Sequence, residues 1–163
     1  MTEPEPRYSD QEWGLLVGLP QSVVIAASAV EEDGARATLA ESEAGMEAIA
    51  EGRESGIPLV EEIAGLLVAQ VGDPDEGAEP LVLSFVDREA GIADVLQRAK
   101  SAMALLSEKA DEGEAGAYRH WLVTIAERVV NAASSGGILG LGGDQVTESE
   151  QRFVDRLHLV LQD

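Results

Sequence analysis

Cysteine is absent from the chain, and thiol catalysis, thiolate metal sites and disulfide bridges are absent with it. Aromatic residues are scarce at 4%, although hydrophobic residues reach 45% of the 163 positions. The chain is long enough to bury a core, and that core must be built from Ala, Leu, Val and Ile. Small Ala-rich surfaces let helices approach closely, which favours helix packing over aromatic cross-strand pairing. Basic residues are also few, 11 Lys and Arg against 31 Asp and Glu, for a formal charge of -20. Phosphate contacts need clustered Lys and Arg, and no such run occurs, so unaided nucleic-acid binding is excluded. An anionic membrane surface is disfavoured for the same reason. Cations and basic protein surfaces remain as partners, beside the plainer reading of a well-solvated acidic surface.

No apolar run is long enough for a membrane span. "GLLVGLPQSVVIAASAV", Gly14 to Val30, carries no charge, but it falls short of the roughly 20 apolar residues required. Pro20, Gln21 and Ser22 interrupt its middle, and Glu12, Glu31, Glu32 and Asp33 flank it without a positive-inside signal. The segment reads as a buried pair of helices, the second beginning at Pro20. The N-terminus "MTEPEPRYSDQE" is acidic, unlike a secretory signal, and points with the missing cysteine to the cytoplasm.

The signals that are present are helical. Residues 1–8 read as a flexible arm and residues 9–163 as one domain. Ser9-x-x-Glu12 is a capping box that starts a helix near Asp10. Thr38-x-x-Glu41 is a second one, opening a helix that Gly52 ends. Pro58 starts a helix with Leu59, Ile63, Leu66 and Leu67 on one face. Gly72 to Pro80 is a loop by composition. A long helix is expected from about Ser84 to Ala110, burying Val95, Ala99, Ala102, Met103 and Leu106. After an acidic turn, "DEGEAG", another runs from about Ala115 to Ala133 and buries Trp121, Leu122, Ile125, Val129 and Ala132. A last helix from Thr147 to about Leu161 turns Phe153, Leu157 and Val160 inward. No stretch alternates as a strand would. The expected fold is all-α, a bundle of six or seven helices.

Two segments look like copies, one starting at Ala26 and one at Ala132. Each has a helix end reading AAS, a loop with Asp beside Gly, a Thr capping box and an amphipathic helix. A duplicated helix–loop–helix would bury its apolar faces by pairing the two copies. The residues of this pattern are Asp33, Gly34 and Glu41 in the first copy, and Val146, Thr147 and Glu150 in the second. On them the chain resembles the TerB-like tellurite-resistance family, better at its ends than over residues 53–113. The resemblance implies an all-helical, acidic, stress-linked bacterial protein in which carboxylates of the paired units hold a divalent cation. Its candidate ligands here are Glu32, Asp33, Glu41, Asp144 and Glu150. One departure is plain: Gly143-Asp144 stands where the first copy has Asp33-Gly34.

Read from the residues alone, Glu31, Glu32, Asp33, Glu41, Glu43 and Asp144 can serve a hard cation only if the two loops meet. Otherwise such carboxylates complement helix N-termini, worth ~0.3–1 kcal/mol each. "DPDEGAEPLVLS" is no EF-hand, since Ser84 stands where a bidentate Glu is needed. The glycine-rich stretch from Ser134 to Asp144 lacks both GxxxxGK[ST] and a strand-flanked GxGxxG. Its Ile138, Leu139 and Leu141 either plug a groove between helices or form an exposed tip for a partner. His120 and His158 are the chain's two imidazoles; His158 shares a helical face with Asp155, and no GxSxG elbow occurs. The expectation is a non-catalytic, acidic interaction module acting on a protein partner or on itself through Ile138, Leu139 and Leu141, with no cofactor. The alternative is a TerB-like protein that binds a divalent metal.

Overall fold

A computed structural model describes residues 7–30, 35–79, 85–135 and 148–162. Among them are six α-helices and no strand, the all-α bundle expected. The helices are α1 (Asp10–Ala29), α2 (Ala35–Glu51), α3 (Pro58–Val71), α4 (Arg88–Lys109), α5 (Glu112–Ser135) and α6 (Glu148–Gln162).

Helix α1 starts as its sequence dictates. The Ser9 hydroxyl accepts from the Glu12 N–H at 3.1 Å, and the Glu12 carboxylate accepts from the Ser9 N–H at 2.8 Å. The expected break at Pro20 does not occur, and one helix runs from Asp10 to Ala29. Proline has no N–H to give to the carbonyl four residues back, that of Leu16. The Tyr118 hydroxyl of α5 donates to that carbonyl instead, at 2.8 Å in the core. Just beyond, Ser22 donates to the Gly18 carbonyl at 3.0 Å and accepts from Arg98, which Asp94 holds at 2.9 Å. Because the helix is not broken at Pro20, the run expected to be too short for a span lies in one that, alone among the described residues, is long and apolar enough to cross a membrane. Its Leu16, Leu19, Val23 and Ala26 are fully buried in the bundle.

Other expected boundaries shift for local reasons. Helix α2 begins at Ala35, so Thr38 lies inside its first turn and is not its cap; Ala35, Arg36 and Ala37 are strong helix formers. Helix α2 then tightens into a 3₁₀ turn, Gly52–Glu54. Asp87 caps α4, accepting from the Ala90 N–H at 3.0 Å, so that helix starts at Arg88. The acidic turn expected before α5 is its first turn. Asp111 accepts from the Glu114 N–H at 2.8 Å, and Glu112 and Glu114 suit the positive helix end.

On α3 the buried stripe runs through Leu59, Val60, Ile63, Ala64 and Leu67. Leu66 falls roughly 90° from the centre of that stripe and is exposed, contrary to expectation. The stripes of α4 and α5 are as read from the sequence, except that Ala132 is half-buried. Helix α6 buries Phe153, Val154, Leu157 and Leu161, with Val160 at the edge of the core.

Helices α1 and α5 are the axis of the bundle, each packing against every other helix. Helix α2 lies most extensively on α5, and α6 lies mainly on α4 and α5. The two proposed copies, α1–α2 and α5–α6, therefore do not pair symmetrically. The interface of α6 with α1 is slight, because α4 packs against both. Close approach of α1, α2 and α5 requires Gly45. A Cβ there would lie 2.6 and 2.7 Å from the two Val24 methyl carbons and 3.2 Å from Val129 Cγ2.

Candidate functional site

Of the expected ligands, Glu32, Asp33 and Asp144 lie outside the described residues, as do Ile138, Leu139 and Leu141 of the expected partner tip. Glu41 and Glu150 are described, and both are buried, 1% and 4% exposed. With Ser42 they are the buried polar side chains among the described residues. A carboxylate removed from water costs several kcal/mol unless it is paired, and both are held by interactions. Glu150 stands at the third position of α6, where a carboxylate faces the positive end of the helix. Glu41 stands a turn further into α2, so the two are not equivalent caps. Glu43 is exposed.

The imidazoles do not join this pair. His158 bonds Gln162 at 3.1 Å, while Asp155 accepts from Gln151 at 2.9 Å, so the shared face does not bring Asp155 and His158 together. His120 is exposed at the rim of a recess of about 280 Å³ between α2 and α5, whose floor is Trp121. That indole donates to the Ala48 carbonyl at 3.1 Å and packs on Gly52, where a Cβ would meet it at 2.8 Å. Among the described residues no three His, Asp or Glu side chains converge as metal ligands.

A recess of about 460 Å³ lies where the starts of α1, α3 and α5 meet, a place sequence reasoning passed over. Arg7 and Tyr8, expected to belong to the flexible arm, are anchored there. Arg7 Nη1 donates to both Glu114 carboxylate oxygens, at 3.0 and 3.1 Å, and its guanidinium lies 6.0 Å from the centre of the Tyr8 ring. Tyr8 is buried and stacks on Trp13, ring centres 6.0 Å apart at 25°. The nearby Tyr8 hydroxyl, which is not aligned for a hydrogen bond, and Glu114 together hold the Arg7 pKa above its ordinary value. Leu59 closes the floor, and Asp10 and Glu62 stand exposed at the rim. The one sequence signal was the pair Tyr8 and Trp13, a third of a very small aromatic complement of two Trp, two Tyr and two Phe.

Elsewhere on the surface several cations are bound by the chain's own carboxylates. Arg53 spans Asp73 at 2.9 Å and Asp75 at 3.2 Å and donates to the Ala50 carbonyl, fastening the end of α2 to the loop after α3. Lys109 meets Glu12 at 2.7 Å, and Arg128 meets Glu51 at 2.8 Å. The Arg53 hydrogen bond lowers the Asp73 pKa, and the Lys109 hydrogen bond lowers that of Glu12.

No protein-family model matches the chain, and no curated protein or solved structure does so either.

Proposed function

We propose that the chain is a non-catalytic, acidic helical module that binds a basic protein or peptide. The observation supporting this is the fate of its few cations. Arg7, Arg53, Arg98, Lys109 and Arg128 are each tied to carboxylates of the same chain. The surplus of acid is left on exposed helix faces, as at Asp10, Glu43, Glu47, Glu54 and Glu62. With 31 acidic against 11 basic residues, and five of those bases engaged by carboxylates, the surface keeps a net field of one sign, which steers a basic partner and rejects acidic ones. In this reading Ile138, Leu139 and Leu141 add the apolar contact that selects one partner, or a second copy of the chain. The stress-linked setting implied by the TerB-like resemblance, and the cytoplasmic one read from the missing cysteine and the acidic N-terminus, are part of the same proposal.

Calorimetric titration with a Lys- and Arg-rich peptide tests it. The expected result is saturable binding of fixed stoichiometry that weakens as NaCl is raised. Heat that never saturates would mean diffuse counter-ion exchange and would overturn the reading.

A second reading, a divalent-cation protein of TerB-like type, draws support from the burial of Glu41 and Glu150 among the expected ligands. Its test is thermal unfolding of chelator-treated protein titrated with calcium, magnesium and zinc in turn. An ion present at about 100 times its Kd adds about 2.7 kcal/mol. That gain should vanish in Glu41→Gln/Glu150→Gln, and a flat response to all three ions removes this reading.

A further inference from the structure

The recess at the start of α1 has the lining of a site for a small organic cation. We propose that it binds a protonated amine carried on an apolar or aromatic body. The inference rests on the acidic-module reading and adds a defined place and ligand chemistry to it.

The first argument is size and shape. About 460 Å³ lies within the range of small-molecule sites and suits a ligand far larger than a hydrated inorganic ion. The second is charge. Asp10, Glu62 and Glu114 line the recess against the single cation Arg7, which Glu114 already engages. Among the described residues Asp10 and Glu62 form no ion pair, so two carboxylates are left at the rim for an incoming positive group. A free anion meets the same two carboxylates as repulsion.

The third argument is the wall between those carboxylates. Trp13, half-buried and backed by Tyr8, offers an aromatic surface beside Pro58 and the buried Leu59. An aromatic face attracts a cation through its quadrupole and an apolar body through desolvation. The chain supplies an example of its own, because the Arg7 guanidinium already lies near the Tyr8 ring with a carboxylate as partner. A metal ion would need several oxygen ligands converging on one point, and these carboxylates do not converge. An alkylammonium needs one or two at the rim and a surface for its body, which is what the recess presents.

The test uses 2-phenylethylamine as probe, with 2-phenylethanol and phenylacetate as neutral and anionic counterparts, read on the indole N–H resonance of Trp13. The amine should shift that signal saturably, and the alcohol and the acid should not. Asp10→Asn/Glu62→Gln, both at exposed positions, should weaken the amine about tenfold with at most a small fall in unfolding temperature, since Asp10 stands in the first turn of α1. Trp13→Ala, which removes that reporter and is followed instead on the line-broadening of the amine's own resonances, should weaken binding by a similar factor, about three- to tenfold. N-acetyl-lysine methylamide separates the sources: binding as tight as that of phenylethylamine identifies a peptide lysine, and weaker binding a free amine. An equal response to the alcohol, an unchanged affinity in the double variant, or no saturation by about 10 mM overturns the proposal. Basic-peptide binding measured in the same double variant keeps the two readings apart. If it persists while the amine response is missing, the recess fails and the acidic module stands.

Discussion

Tyr118 donates its hydroxyl to the backbone carbonyl of Leu16, which the missing N–H of Pro20 leaves without its helical donor. A residue on α5 thereby satisfies a defect in α1, at a point where both are buried. Burial raises the Tyr118 pKa, so the group stays a neutral donor throughout the working range of pH.

Tyr118→Phe removes that donor and keeps the ring. It should cost about 1–3 kcal/mol, the range for orphaning a buried carbonyl. Pro20→Ala returns a backbone N–H at the same place, so the cost of Tyr118→Phe should shrink by about 1 kcal/mol in that background. Urea unfolding of the four proteins measures the coupling. Additive effects would show that the two residues act independently.

Glycine should be indispensable at position 45 and dispensable at position 65. Gly45→Ala pushes a Cβ into both methyl groups of Val24 and should destabilise by about 1–3 kcal/mol. Gly65→Ala on α3 meets nothing within 4 Å and should stabilise by about 0.5–1 kcal/mol, since glycine in a helix interior is unfavourable. Denaturant midpoints that move the same way for both would sink the contrast.

Acid should weaken the fold through Glu12 and Asp73. Both folded pKa values lie below the ordinary ones, Glu12 because of Lys109 and Asp73 because of Arg53. A lowered folded pKa contributes stability above the unfolded value, near pH 4, and that contribution is lost as pH falls through the folded value. The urea midpoint of the native chain should therefore drop between about pH 5 and pH 2, and by less in Glu12→Gln/Asp73→Asn. Equal slopes in the two proteins would assign acid sensitivity to other carboxylates.

Local signals in the sequence carried most of the helix boundaries. The Ser9 capping box, Pro58 at the first turn of α3 and Gly72 after its end all act within a few residues, and all stand where read. Pro20 was misread because its compensation comes from Tyr118, 102 positions away, and no local rule contains that donor. Thr38 failed as a cap because helix-forming residues precede it, and Leu66 because one apolar residue lies at the edge of an otherwise continuous stripe. The burial of Glu41 and Glu150 was legible only as a repeated motif, without its depth. The Tyr8–Trp13 wall was legible only as two of six aromatics close in sequence, since three helix starts far apart in the chain must meet before the recess exists.

The central position of α1 sets an order on synthesis. Its uncharged segment leaves the ribosome early, yet the donor for Leu16 follows 102 residues later. At about 5–20 residues per second the wait is roughly 5–20 s. During that interval α1 has α2, α3 and α4 to pack against, but the carbonyl of Leu16 lacks the donor that completes it. The arrival of α5 supplies that donor and the last large face against which α1 packs.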